Sequence, residues 1–151
     1  MAYLDVITLA EAKTYLRVDA DLTDDDAQIT LMIETALEFI ETYTRVLVFS
    51  RTKTYVAPDG FIRVYDAPIT AVTTPTEHVR EQKTLHSIFT FDGDELSLEV
   101  GYALVADLPK WVKIVALELI AIYYFQKEAG EKSVLSALSQ RNLDMNRRFI
   151  M

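Results

Sequence analysis

Apolar residues recur at steps of three and four in three stretches of the chain. Between the second and third stretches the pattern changes to β-branched and aromatic clusters. In the first stretch Leu9, Ala12, Tyr15 and Leu16 fall on one side of a helix. Thr8-Leu9-Ala10-Glu11 has the form of a capping box, in which each of Thr8 and Glu11 accepts from the other's backbone amide through its side chain. This predicts a short helix running to about Arg17. Asp19-Ala20-Asp21-Leu22 interrupts the pattern. Thr23 is then the expected N-cap of a second helix, with Asp24, Asp25 and Asp26 in its first turn, where the macrodipole favours anions. Ile29, Ile33, Ala36, Leu37, Ile40 and Tyr43 carry that amphipathic helix to Thr44 or Arg45.

The middle of the chain reads as strands. Val46 to Val56 is β-branched and aromatic, and its second half alternates. Pro58-Asp59-Gly60 predicts a turn and Phe61 to Tyr65 a returning strand. Ala67-Pro68 breaks the chain before a short strand from Ile69 to Thr73. Thr74 to Lys83 is polar and reads as a loop. Thr84 to Phe91 and Glu95 to Val100, joined at Asp92-Gly93, form the clearest hairpin pattern.

Leu108-Pro109 opens the third helix, with Pro109 suited to its first position. From Trp111 to Lys127 only Lys113 and Glu118 break an apolar run, which predicts a helix buried on most sides. Gly130 is a natural C-cap. Ser133 to Met151 mixes polar and apolar residues without a clean period. The order of elements argues for an α+β fold, mostly helical, with three main helices, a small antiparallel sheet or hairpins, and an extended C-terminal tail. One domain is expected over residues 1–130, with residues 131–151 as a tail.

A length of 151 residues is enough for one core without disulfide or metal support. The chain has no cysteine, which removes disulfide frameworks, thiolate zinc sites and cysteine nucleophiles. The longest apolar stretch, Ile114 to Phe125, is too short to span a bilayer, and no signal peptide is visible at the start. A soluble protein made in a cytoplasm is expected, with no membrane partner. The formal charge is −8 and is unevenly placed. Residues 1–45 hold 10 acids and 3 bases, while residues 131–151 hold four bases against two acids. Most of the chain repels phosphate, which argues against tight nucleic-acid binding.

Motifs with catalytic chemistry are weak. Gly130-Glu131-Lys132-Ser133 lacks the glycines of a phosphate-binding loop and follows a helix rather than a strand. Asp19 to Asp24 resembles the start of a calcium loop, but Asp24 stands where glycine is required and Thr30 where glutamate is required. Asp92, Asp94 and Glu95 are explained by turn chemistry. His78 and His86 are the only histidines and have no defensible Ser-Asp partners. No catalytic, cofactor or metal residue is therefore assigned.

As a set, the first 45 residues resemble the head–tail connector family of tailed phages. The residues concerned are Thr8 to Asp19 with the ending Tyr15-Leu16-Arg17-Val18-Asp19, the acidic start Asp24-Asp25-Asp26, Ile29 to Ile33, and Ile40 followed by Glu41-Thr42-Tyr43-Thr44-Arg45. The last of these is similar to a Glu-x-Tyr-Thr-Gly-Arg signature but lacks its glycine. Asp66-Ala67-Pro68-Ile69, Gly101-Tyr102, Asp107-Leu108-Pro109 and the following apolar helix extend the likeness over about residues 5–127. The resemblance implies a non-enzymatic virion protein at the head–tail junction, made in the host bacterial cytoplasm. It implies a homo-oligomeric ring, usually twelve-fold, joining the portal protein to a downstream connector or tail protein around a channel for DNA. A ring with cyclic symmetry needs two different patches per subunit. The tail offers one of them: Leu138, Leu143, Met145, Phe149 and Ile150 as apolar anchors, with Arg141, Arg147 and Arg148 as charges. The rival readings are a cytoplasmic ligand-binding or regulatory domain, a small enzyme, and another phage morphogenetic protein such as a head-completion or tail-terminator protein.

Overall fold

The structure, a computed structural model, describes residues 3–129 and 134–148, with the side chains of 126–129 left out. It has the expected α+β class. A one-turn helix α1 (Tyr3–Val6) leads into α2 (Leu9–Leu16). The capping box forms: the Glu11 amide donates to Thr8 Oγ1 at 3.2 Å and the Thr8 amide to Glu11 Oε2 at 3.1 Å. Arg17 closes the helix in the left-handed region (φ 60°), and the Val18 amide returns to the Lys13 carbonyl at 3.0 Å.

The long helix α3 spans Asp26–Thr44. Its N-cap is Asp25 and not Thr23, and Asp25 makes no side-chain cap. Lys13 explains the delay. This buried ammonium pairs with Asp26 and takes the carbonyls of Ala20 (3.2 Å) and Leu22 (2.7 Å), so the loop folds around it before the helix begins. At the other end Arg45 adopts φ 62° as the C-cap, in the place where the family signature carries glycine. A left-handed conformation costs an L-residue roughly 1–2 kcal/mol, of which glycine's greater unfolded entropy returns about 0.5–1 kcal/mol. Arg45→Gly is therefore expected to raise stability by about 0.5–1 kcal/mol, measurable as a higher urea midpoint at unchanged slope; an equal or lower midpoint contradicts it.

Residues 46–50, expected as strand, are irregular instead. Leu47 and Val48 are both buried, but in different cores: Val48 joins the helical one and Leu47 the strand one. The strands are β1 (Arg51–Val56), β2 (Phe61–Val64), β3 (Ile69–Thr74), β4 (His78–Gln82), β5 (Ser87–Phe91) and β6 (Glu95–Val100). They form two antiparallel sheets, ordered β1-β6-β3 and β2-β5-β4. The expected hairpin of β5 with β6 is thus corrected, as is the return of β2 onto β1. Both turns are corners, not reversals. Val56 faces Glu95 and Phe61 faces Thr90, five residues further along each strand, so the register continues through the bend. The Ala57 amide donates to the Asp94 carbonyl (2.7 Å) and the Phe91 amide to the Gly60 carbonyl (2.9 Å), carrying the ladder around it. The two sheets are halves of one bent ribbon with residues 87–100 as its central strand. Strand β4 lies where the polar sequence predicted a loop; as an edge strand it leaves most of its side chains in solvent.

After a single 3₁₀ turn at Val105–Asp107, α4 (Lys110–Ala129) begins one residue after Pro109, whose carbonyl accepts from the Val112 amide at 3.0 Å. A fifth helix, α5 (Ala137–Asn146), occupies the segment that showed no clean period. Helices α3 and α4 pack through Ile29, Ile33, Leu37, Val112, Ala116 and Ile120. The Tyr124 hydroxyl reaches Asp25 at 2.9 Å, so the start of α3 lies by the end of α4 and the two run antiparallel.

Candidate functional site

Among the described residues concave chemistry is scarce. A recess of about 650 Å³ opens beside α2 and the α2–α3 loop. Its central charges, Lys13 and Asp26, are paired with each other. His78 Nδ1 sits 3.2 Å from the Pro75 carbonyl oxygen, and the His86 ring lies tilted against Tyr65 with centroids 5.3 Å apart. Among the described residues no group of three or more His, Asp or Glu is placed to hold a metal, and no helix is long and apolar enough to cross a membrane.

The C-terminal residues singled out by sequence divide into distinct groups. Leu138 and Met145, one helical face apart by seven residues on α5, are 64% and 69% exposed, and Arg141 lies exposed between them. Leu143 is 1% exposed and belongs to the chain's own helical core. Arg147 stacks on the Tyr43 ring at 4.7 Å. Arg148 is half-buried: its amide donates to the Thr44 carbonyl and its guanidinium to the Leu85 carbonyl, both at 3.3 Å. Phe149 and Ile150 lie outside the described residues.

Helix α5 is docked, and Glu118 docks it. The carboxylate that interrupts the apolar run of α4 accepts from the amide and hydroxyl of Ser136, the N-cap of α5, and from the Ser139 hydroxyl. An anion at a helix N-terminus answers both its orphan amides and its macrodipole. At the far end the Tyr43 hydroxyl donates to Asp144 at 2.7 Å. Burial pushes the Glu118 pKa up, but the hydrogen bonds from Ser139 and Ser136 outweigh it and hold the carboxyl below its usual value. A depressed carboxylate pKa stabilises the fold above the unfolded value, about 4.3, and the contribution is lost as pH falls through the folded value. The protection factors of α5, taken relative to intrinsic exchange at each pH, are therefore expected to fall selectively below about pH 4.3. Glu118→Gln should show that loss of protection already at neutral pH; α5 protection identical to wild type across the range contradicts the clamp.

Sequence reasoning missed a second kind of surface. The apolar run of α4 predicted burial on most sides, but the helix buries one face only, through Val112, Val115, Ala116, Leu119 and Ile120. On its outward side Ile114 is 54% exposed and Phe125 is also exposed, with Leu117 and Ala121 between them at helical spacing. Tyr15 of α2 is exposed near this stripe, and a shallow apolar recess joins it to Leu117. On α3, Leu31 (62% exposed) and Phe39 fall out of phase with the buried face. That phase mismatch was the available signal.

A known family model, the phage gp6-like head–tail connector protein, matches residues 6–146. The chain belongs to the phage gp6-like head–tail connector family. It is thereby a virion structural protein of the connector class. The match reaches 146, beyond the residues 5–127 that carried the resemblance, and so takes in α5. Solved structures agree on the fold. A chain from the virion of a native gene transfer agent particle superposes with TM-score 0.75 at 17% identity, covering 97% of this chain and 91% of that one. A chain from the neck of an empty particle, computed with C6 symmetry, gives 0.76 at 18% identity, with 100% and 94% covered. One from the neck of a native particle, computed with C12 symmetry, gives 0.71 at 15%, again with 100% and 94% covered. A comparison with curated proteins finds no match.

Proposed function

We propose that this connector assembles as a homo-oligomeric, twelve-fold ring at the head–tail junction, without catalytic activity. The ring docks on the portal protein on one side and carries the next connector or a tail protein on the other. DNA passes through its channel. The observation that carries this reading is the family match along 6–146. A fold shared with chains from particle necks, computed with C6 and with C12 symmetry, supports the ring. On α4 the exposed apolar side chains recur along one stripe, which supports an assembling protein. Leu138, Arg141 and Met145 remain the tail residues available to a neighbour or to the portal. A subunit of formal charge −8 binds phosphate weakly, which lets DNA slide.

Imaging of intact particles tests the reading. A closed ring of this chain beneath the portal vertex is expected. Its absence from that position overturns the proposal, and a channel wall densely lined by Lys and Arg overturns the sliding argument.

A further inference from the structure

The α3–α4 pair has two exposed faces that point away from each other. Each helix buries the side turned towards its partner, so Leu31, Glu34, Glu38 and Phe39 of α3 face one way. Ile114, Leu117, Ala121 and Phe125 of α4 face the other. Both surfaces have apolar centres, but their charges differ in sign. On the outer face of α3 the exposed charges are Glu34 and Glu38, with no Lys or Arg on that helix; Asp26 and Glu41 are taken up by Lys13 and Arg51. The α4 stripe begins with an exposed cation, Lys110, one turn before Ile114 on the same helix. Of the acids beside the stripe, Glu11 is engaged by Lys113 at 2.6 Å and Glu118 by Ser136 and Ser139.

We infer that these are the two halves of the subunit contact: the apolar α4 stripe of one copy, with Lys110 at its end, seats on the outer face of α3 of the next, which carries Glu34 and Glu38. The occupant is a second copy of this chain. Charge complementarity selects it, because the surface opposite in sign and similar in apolar content is carried by the chain itself, on the opposite side. Two unlike patches on opposite sides make a head-to-tail contact, which repeats and closes under cyclic symmetry. The acidic face repels a second acidic face, which disfavours a back-to-back dimer. The inference rests on the ring reading above and deepens it by naming the surfaces.

The chain has no cysteine of its own, so introduced thiols report without background. Leu31→Cys and Ile114→Cys are combined in one chain, and also made singly, and neck assemblies carrying them are treated with a short bis-maleimide. The double variant is expected to give a ladder of cross-linked multimers ending at the ring size, whereas each single variant stays uncross-linked. Imaging of the same untreated assemblies establishes independently whether a ring is present. A ring that yields no ladder overturns the assigned surfaces and leaves the ring reading standing. Dimers from either single variant overturn the head-to-tail arrangement. No ring at the neck overturns the ring reading, and the inference with it. As a second measurement, Glu34→Lys with Glu38→Lys is expected to weaken assembly at least about tenfold, and adding Lys110→Glu to recover part of the loss. These positions are exposed, so circular dichroism and thermal midpoint should not move. Undiminished assembly of the reversed chain contradicts the proposed contact.

Discussion

Glu41→Ala is expected to lower the unfolding free energy by about 3 kcal/mol, the largest loss expected from truncating any one polar side chain here. Glu41 is a buried carboxylate on the last turn of α3, and three segments converge on it. Its Oε1 accepts from the Val48 amide at 2.7 Å; its Oε2 accepts from Arg51 at 2.8 Å and from the Tyr3 hydroxyl at 3.1 Å. One side chain thus ties α1, the irregular segment 46–50 and β1 to the helical core. Removing it strands a buried amide and leaves the Arg51 guanidinium with Nε already lacking a partner. Burial opposes the Arg51 charge, but the Glu41 hydrogen bond and charge outweigh it and raise its pKa. Burial, then the Glu41 charge, pushes the Tyr3 hydroxyl up to about 12. Because the Arg51 side chain is 34% exposed, the loss falls at the lower end of the range for broken buried pairs. Urea unfolding of Glu41→Ala, Arg51→Met and the double variant checks this. The double variant should recover at least about 1 kcal/mol relative to additivity, since it removes the uncompensated charge. Strict additivity, or a single-variant loss below about 1 kcal/mol, rules out the clamp.

The helices were legible where a local chemical device marks their ends. The Thr8–Glu11 capping box and the end of α3 at Thr44 are both where the sequence puts them, because those signals act within four residues. The start of α3 was misread because Lys13, ten residues upstream of the expected cap at Thr23, organises the loop. Helix α5 escaped notice because only Ser139 and Leu143 are buried, and because its N-terminal anion, Glu118, comes from another helix. In the strands, Asp92-Gly93 signals a sharp change of direction, but it does not distinguish a chain that folds back from one that pivots into a second sheet. The exposed apolar faces were hidden by a similar ambiguity. A long apolar run on α4 predicts burial, and the run alone does not say which of its residues the chain's own core covers. Ile114 and Phe125 were read as core for that reason.

Two glycines separate conformational from steric demand, and Gly101 carries both. Gly101 sits where β6 ends, at φ +106°, and a Cβ there would lie 2.1 Å from the Phe49 carbonyl oxygen. That oxygen is backbone in the junction between the cores, so it does not swing aside. The Gly101 amide donates to the Pro68 carbonyl and the Ser50 amide to the Tyr102 carbonyl, both at 2.8 Å, so any shift pulls on two neighbouring segments. Gly93 at the ribbon's corner has φ +123°, but a Cβ there would meet nothing within 4 Å. Gly93→Ala should therefore cost only the backbone strain, about 1–2 kcal/mol. Gly101→Ala adds a collision and is expected to cost about 3 kcal/mol or more. The comparison is read from urea midpoints at equal slope, because both variants add one methyl group. Equal losses at the two sites would mean that the junction yields, and that the sheet is not held rigidly against the α3–α4 pair. A rigid junction matters to the connector reading: if α3 and α4 supply the contacts between copies, the ribbon they carry keeps the same position in every subunit only while Gly101 and Glu41 hold it there.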